Sequence, residues 1–191
     1  MAERTGTHFI KAAAYRAWQF FAALGARLDR EDHQLVRSVL GPLGPQAEAL
    51  FYRMRRNDQR HAVAVLRTLL AAGQQEPALG QAALLHDVGK VMGQPILYRV
   101  AIVLLEAYAP AWLDRLALAN EPPSASGLER VARWRRPFVV HAWHPALGAR
   151  MAANVGCGPL AVGLILNHQR TPASGAGAGL LPALQWADAQ N

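Results

Sequence analysis

The chain of 191 residues has one cysteine and two lysines, and no apolar run approaches a membrane span. The lone Cys157 has no partner for an intrachain disulfide, which excludes the disulfide-stapled scaffolds and points to a reducing compartment. Runs such as "VAIVLL" and "PLAVGLIL" fall far short of the roughly 20 apolar residues that cross a bilayer. The first residues, "MAERTGTHFIKAAAY", lack the basic, apolar, small-residue order of a secretory signal. The expectation is a soluble cytoplasmic protein with no membrane partner. Strand-like alternation with period two is missing, as are internal repeats. The "GAGAG" stretch (175–179) is not followed by the lysine and hydroxyl of a phosphate-binding loop, so it reads as a flexible connection.

What is present is a composition that is 52% hydrophobic and 17% charged, ample for a buried core and incompatible with general disorder. The formal charge is +7, and arginines cluster in two stretches, "RMRRNDQR" (53–60) and "ERVARWRRP" (129–137). These read as solvated helix faces before they read as a polyanion site, so nucleic acid is disfavoured as a partner. Against that arginine habit, a lysine at position 90 suggests a place where a compact ammonium is required.

Helical periodicity dominates. It predicts helices over 8–28, 32–40, a long one over 48–73, 77–90, 96–108, one opening at Pro110, and then 143–155, 158–169 and 179–190. The segments 120–127 and 171–179 read as loops. The predicted fold is all-α, one domain of nine or ten helices, with residues 1–45 as accessory helices ahead of a main domain over 46–191.

Several ionisable residues fall where this pattern expects apolar ones. His61 shares a stripe with Val65 and Leu69, and His86 with Asp87 ends the apolar run "AALLHDVGK" (82–90). His144 precedes a proline at an expected helix start. His168 terminates "LAVGLIL", and Asp188 sits beside Trp186's neighbour Ala187 in an otherwise uncharged helix. Each would cost several kcal/mol if buried unpaired, on the order of ~2–7 for a polar group. Grouped around cations, they satisfy one another.

The set His61, His86–Asp87 and Asp188 resembles the H…HD…D pattern of the HD-domain superfamily of metal-dependent phosphohydrolases. The resemblance covers roughly residues 46 to 191, and such domains are all-helical. "HPALG" (144–148) and "LILNHQ" (164–169) further resemble elements of the HD-GYP branch. It implies a binuclear centre in which His61, His86, Asp87 and Asp188 hold one metal, while Asp87, shared, joins His144 and His168 on the other. A carboxylate can bridge two cations, which explains a His–Asp pair rather than His–His. The donor set suits Mn²⁺, Fe²⁺, Co²⁺, Ni²⁺ or Zn²⁺, and admits Mg²⁺.

Such a centre implies hydrolysis of a phosphomonoester or phosphodiester, of a nucleotide by expectation, with a hydroxide bridging metals roughly 3.5–4 Å apart as nucleophile. Lys90, one turn past Asp87, is placed to neutralise charge on the phosphoryl group. Arg60, Gln169 and Arg170 are candidate substrate contacts. The sequence departs from the branch at Gln169 and Arg170, where a second histidine and a glutamate are usual, and no GYP follows. Those departures favour two metals over three and leave the substrate open. The alternative is a regulatory module that keeps the fold and senses a nucleotide or docks a partner. Oligomeric state is left open as well.

Overall fold

In the computed structural model, described over residues 27–93, 96–117, 125–170 and 179–191, the chain enters through a capping box. Asp29 Oδ1 accepts the amide of Asp32 at 2.7 Å, and Asp32 Oδ2 accepts the amide of Asp29 at 3.1 Å. This satisfies two donors that a helix start leaves unpaired. Helix α1 (Arg30–Leu40) follows, then a 3₁₀ turn over Gly41–Leu43 and α2 (Pro45–Tyr52). Both of the latter carry proline in their opening positions, where its missing N–H has no helical partner to lose.

The single helix expected over 48–73 is two, α2 and α3 (Arg56–Ala71). Arg55 is extended, and the Gln59 side chain donates to the carbonyls of Met54 (2.8 Å) and Tyr52 (3.2 Å), closing the break. A polar side chain competing for backbone carbonyls thus overrides the periodic pattern. Next come α4 (Pro77–Leu85), a 3₁₀ turn over Val88–Met92, α5 (Ile96–Tyr108), α6 (Pro110–Ala117) and α7 (Ala125–Arg130). The expected loop 120–127 therefore gives way to helix at Ala125. The chain ends through α8 (Arg136–Asn154), α9 (Pro159–Asn167) and α10 (Leu180–Gln190).

The fold is all-α, and no strand occurs among the described residues. Of the helix expected over 8–28 and the loop expected over 171–179, residues 8–26 and 171–178 lie outside those residues, and Arg27 and Leu28 are not helical. The main core joins α1, α3, α4, α9 and α10 through side chains such as Leu40, Leu66, Leu84, Ile165 and Leu184. Two smaller clusters attach to α8: Leu128 with Val140 and Leu147 under α7, and Ile102 with Leu113 and Phe138 under α5 and α6. Among the described residues no helix is long and apolar enough to cross a membrane.

Candidate metal centre

Helix α4 is apolar on all sides and stops at Leu85, so His86 and Asp87 fall on the turn that leads into the 3₁₀ segment. That turn solves a geometric problem. Adjacent residues inside an α-helix diverge by about 100°, but here both side chains enter the core, with His86 and Asp87 buried. The turn is held against α8 by two glycines. A Cβ on Gly89 would lie 2.1 Å from the carbonyl oxygen of His144 and 2.9 Å from the amide nitrogen of Gly148. A Cβ on Gly148 would lie 3.2 Å from the Gly89 nitrogen. Only glycine at position 89 allows this approach. The approach brings His144 to Asp87.

The candidate donor atoms converge. Asp87 Oδ2 lies 3.7 Å from His86 Nε2, while Asp87 Oδ1 lies 3.4 Å from His144 Nε2 and 3.9 Å from His168 Nε2. From α3, His61 Nε2 donates to Asp188 Oδ1 of α10 at 2.8 Å, and that oxygen is 3.6 Å from His86 Nε2. Donor atoms of His61, His86 and Asp87 lie within 4.8 Å of one another, as do those of Asp87, His144 and His168. These buried His/Asp groups could hold a metal ion. His144, His168, His86 and Asp87 are closed off from solvent. The side chains of His61 and Asp188 are 25% and 31% exposed, which makes theirs the open side of the cluster.

The orientation of the rings is fixed from behind. His86 Nδ1 donates to Ala83 O at 2.9 Å, His144 Nδ1 to His141 O at 2.6 Å, and His168 Nδ1 to Ile165 O at 2.7 Å. A carbonyl can only accept, so each Nδ1 carries the proton, and in the neutral ring Nε2 keeps its lone pair. All three Nε2 atoms are buried without a hydrogen-bond partner. Orphaned nitrogens in a protein interior are costly unless something accepts the lone pair. Ligating histidines commonly show this backing hydrogen bond.

Each accepting carbonyl is available for a local reason. Those of Ala83 and Ile165 lie in the last turns of α4 and α9, where helical partners run out. That of His141 is mid-helix. Helix α8 does not start near residue 143, as the proline after His144 suggested; it starts at Arg136 and carries Pro145 inside it. Pro145 has no N–H to give to His141 O, four residues back, and His144 Nδ1 takes that place.

Charge follows the same geometry. Burial works against an ionised Asp87, but His86 and the Lys90 ammonium outweigh it and hold the carboxyl well below its usual range. Burial likewise opposes Asp188, and the hydrogen bond from His61 with the nearby His86 ring holds it low. Burial pushes His168 down to about 4, with the charge of His86 adding to it. For His86, burial is opposed by Asp87 and Asp188, which raise it. Lys90 Nζ sits 2.5 Å from Asp87 Oδ2.

Of the residues singled out in the sequence, His61, His86, Asp87, His144, His168 and Asp188 are brought together, with Lys90 against Asp87. Arg60 is half-buried on α3 next to His61. Gln169 and Arg170 are exposed. They line a cavity of about 380 Å³ with Trp143, Pro145 and Leu166, none of which belongs to the ligand cluster. Cys157 is buried in the main core, and burial pushes its thiol up, as suits an inert packing residue. Sequence reasoning missed the contributions of Gly89, Gly148 and Pro145, although the glycines of "HDVGK" and "HPALG" and the His–Pro step were in plain view.

Compared with known proteins, the chain matches no family model, no curated protein and no solved structure.

Proposed function

We propose that the protein is a metal-dependent phosphohydrolase of the HD type, cleaving a phosphomonoester or phosphodiester of a nucleotide. One observation carries the reading. Three buried imidazoles, each locked by a backbone carbonyl behind it, point unpartnered lone pairs at a single carboxylate with a different set of donors at each oxygen. The spacing of His61, His86–Asp87 and Asp188 in the sequence, which resembles the HD superfamily, supports it further.

In this reading His61, His86, Asp87 and Asp188 would hold one divalent cation, and Asp87, His144 and His168 would hold a second. Bound cations of this kind act as Lewis acids on a phosphoryl group and lower the pKa of coordinated water. The chain does the rest. His86, His144 and His168 keep their tautomers through Ala83, His141 and Ile165, so their lone pairs need no reorganisation. The half-open pair His61–Asp188 marks the side from which a phosphate enters. Lys90, also partly exposed, brings a positive charge to that side and balances Asp87.

The second reading, a non-catalytic module that senses a nucleotide or docks a partner, is favoured by the Lys90–Asp87 ion pair. An ammonium on the shared carboxylate is an internal substitute for a cation. One experiment separates the two. The purified chain is assayed for bound metal and for hydrolysis of nitrophenyl phosphate esters and a nucleotide panel with Mn²⁺, beside Asp87→Ala. The enzyme reading expects metal and turnover, both lost in the variant. Metal without turnover on any substrate selects the module.

A further inference from the structure

The cavity of about 380 Å³ that Gln169 and Arg170 line opens on the side of α8 that faces away from the metal centre. Its α8 lining includes Ala142 and Ala146. At about 100° per residue, both lie roughly 160° round the helix axis from His144. Ala142 is exposed and Ala146 half-buried, whereas His144 is closed off from solvent. From α9 comes Leu166, 45% exposed, followed by the turn of Gln169 and Arg170. A molecule held here would sit behind His144, not over the cluster of donor atoms.

The lining is mostly apolar with two adjacent polar side chains, and the volume lies in the range of small-molecule sites. Ala142 and Ala146, one turn apart, leave a floor on which no long side chain stands. Trp143 is half-buried and packs against the cluster of Leu128, Val140 and Leu147, which fixes it as a wall. The polar end is held as well: Gln185 Nε2 donates to Arg170 O at 2.6 Å and to His168 O at 3.0 Å. A site set beforehand in this way loses less entropy on binding. Charge selects the sign of the ligand. Between Glu129 and Asp188 the sequence has no aspartate or glutamate, so α8, α9 and the turn after it bring no acid to the cavity. Of the acids on neighbouring elements, Glu106 is bonded to His141 at 2.9 Å, and Asp87 and Asp188 belong to the metal centre. None of these, nor Asp114 on α6, lines the cavity, where Arg170 is the one charged residue.

We infer that this cavity is a second ligand site, for a small planar aromatic anion. The ring lies on the alanine floor against Trp143 and Leu166, where its apolar faces leave water. Its phosphate or carboxylate meets the Arg170 guanidinium, whose planar fork suits either group, with the Gln169 amide alongside. Gln169 and Arg170 thereby serve this site rather than the substrate of the metal centre. The inference is independent of the proposed activity.

The test is titration calorimetry of the full chain with two ring-bearing anions. One is benzoate; the other is the phosphonate analogue of AMP, in which a methylene replaces the ester oxygen and blocks hydrolysis. Adenosine, a ring without the anion, and methylphosphonate, an anion without the ring, run beside them. At least one ring-bearing anion should bind, one per chain, about tenfold or more tighter than either partial probe. Which of the two binds better tells carboxylate from phosphate. Arg170→Gln should weaken that binding by about tenfold, and Ala142→Glu, which brings an acid to the floor, by about as much. Both residues are exposed, so helicity by circular dichroism should stay unchanged. Chelator should leave the affinity as it was. The inference is overturned if neither anion binds at millimolar concentration, or if both substitutions leave binding intact. It is also overturned if chelator abolishes binding, since the anion would then sit on the metals. Absence of any hydrolytic activity would alter none of these readings.

Discussion

Gly89 and His144 meet backbone to backbone: a single methyl group on Gly89 would fall 2.1 Å from the His144 carbonyl oxygen. The turn that carries His86 and Asp87 and the helix that carries His144 are therefore set closer than any side chain at position 89 would allow. Gly89→Ala should force the two apart. The atom it meets is backbone, so side-chain repacking cannot relieve the clash. Overpacking of this kind costs roughly 3 kcal/mol, which for a chain of this size corresponds to a fall in Tm of about 6–12 °C. Thermal melts by circular dichroism check it. A Tm within a degree or two of wild type would show that the turn and α8 tolerate separation.

Because Asp87 offers a different oxygen to each half of the cluster, substitutions should subtract metal unequally. His144→Ala or His168→Ala should remove one equivalent and leave the other. His61→Ala should remove the complementary one, and Asp87→Ala both. Metal analysis of dialysed protein reads the stoichiometry directly. Full occupancy in Asp87→Ala would place the ions elsewhere.

Lys90→Met should separate charge from ligation. Metal content is expected to hold, since Lys90 supplies no lone pair when protonated. Turnover should fall about 10²–10³-fold, the usual effect of removing one group that stabilises developing charge. A large loss of metal instead would show that the ammonium chiefly organises Asp87.

The metal-free protein should lose stability as pH falls from about 6.5 towards 4. His168 titrates near 4 in the fold and has an ordinary value of 6.5, so between those values the unfolded chain binds the extra proton. Stability therefore drops with falling pH across that window. The raised His86 acts above 6.5 and the lowered Asp87 and Asp188 below 3.8, while the lowered His141, pushed down by burial, adds to the same fall below 6.5. Urea midpoints measured in chelator across this range should fall, and His168→Gln should flatten the curve. An equally steep curve in the variant would assign the loss to another group.

The helical class was readable because apolar residues recur with the α period through α1 and α3. His61 could be chosen because it shares an apolar stripe, and His86 and His168 because they end apolar runs; His144 was chosen on its proline and the family resemblance. The break at Arg55 was not readable: it depends on Gln59 reaching back to Met54, a contact with no periodic signature. Nor was the length of α8. A proline ordinarily argues for a helix start, and only the His144 side chain makes an interior one tolerable. Convergence across the long gap from His61 to Asp188 (|i−j| = 127) could be inferred from the family pattern alone. Propensity says nothing about it.

Pro145 has a consequence for how this chain can change. In most helices, replacing an internal proline by alanine is a gain, about 3 kcal/mol on intrinsic propensity. Here the new N–H would claim the His141 carbonyl and contest the bond that sets the His144 ring. The variant should be the sturdier protein and the poorer metal binder, by the 10- to 100-fold typical of a lost supporting contact. Selection for robustness alone would erode the centre at this position, so the proline marks a point where durability and chemistry pull in opposite directions.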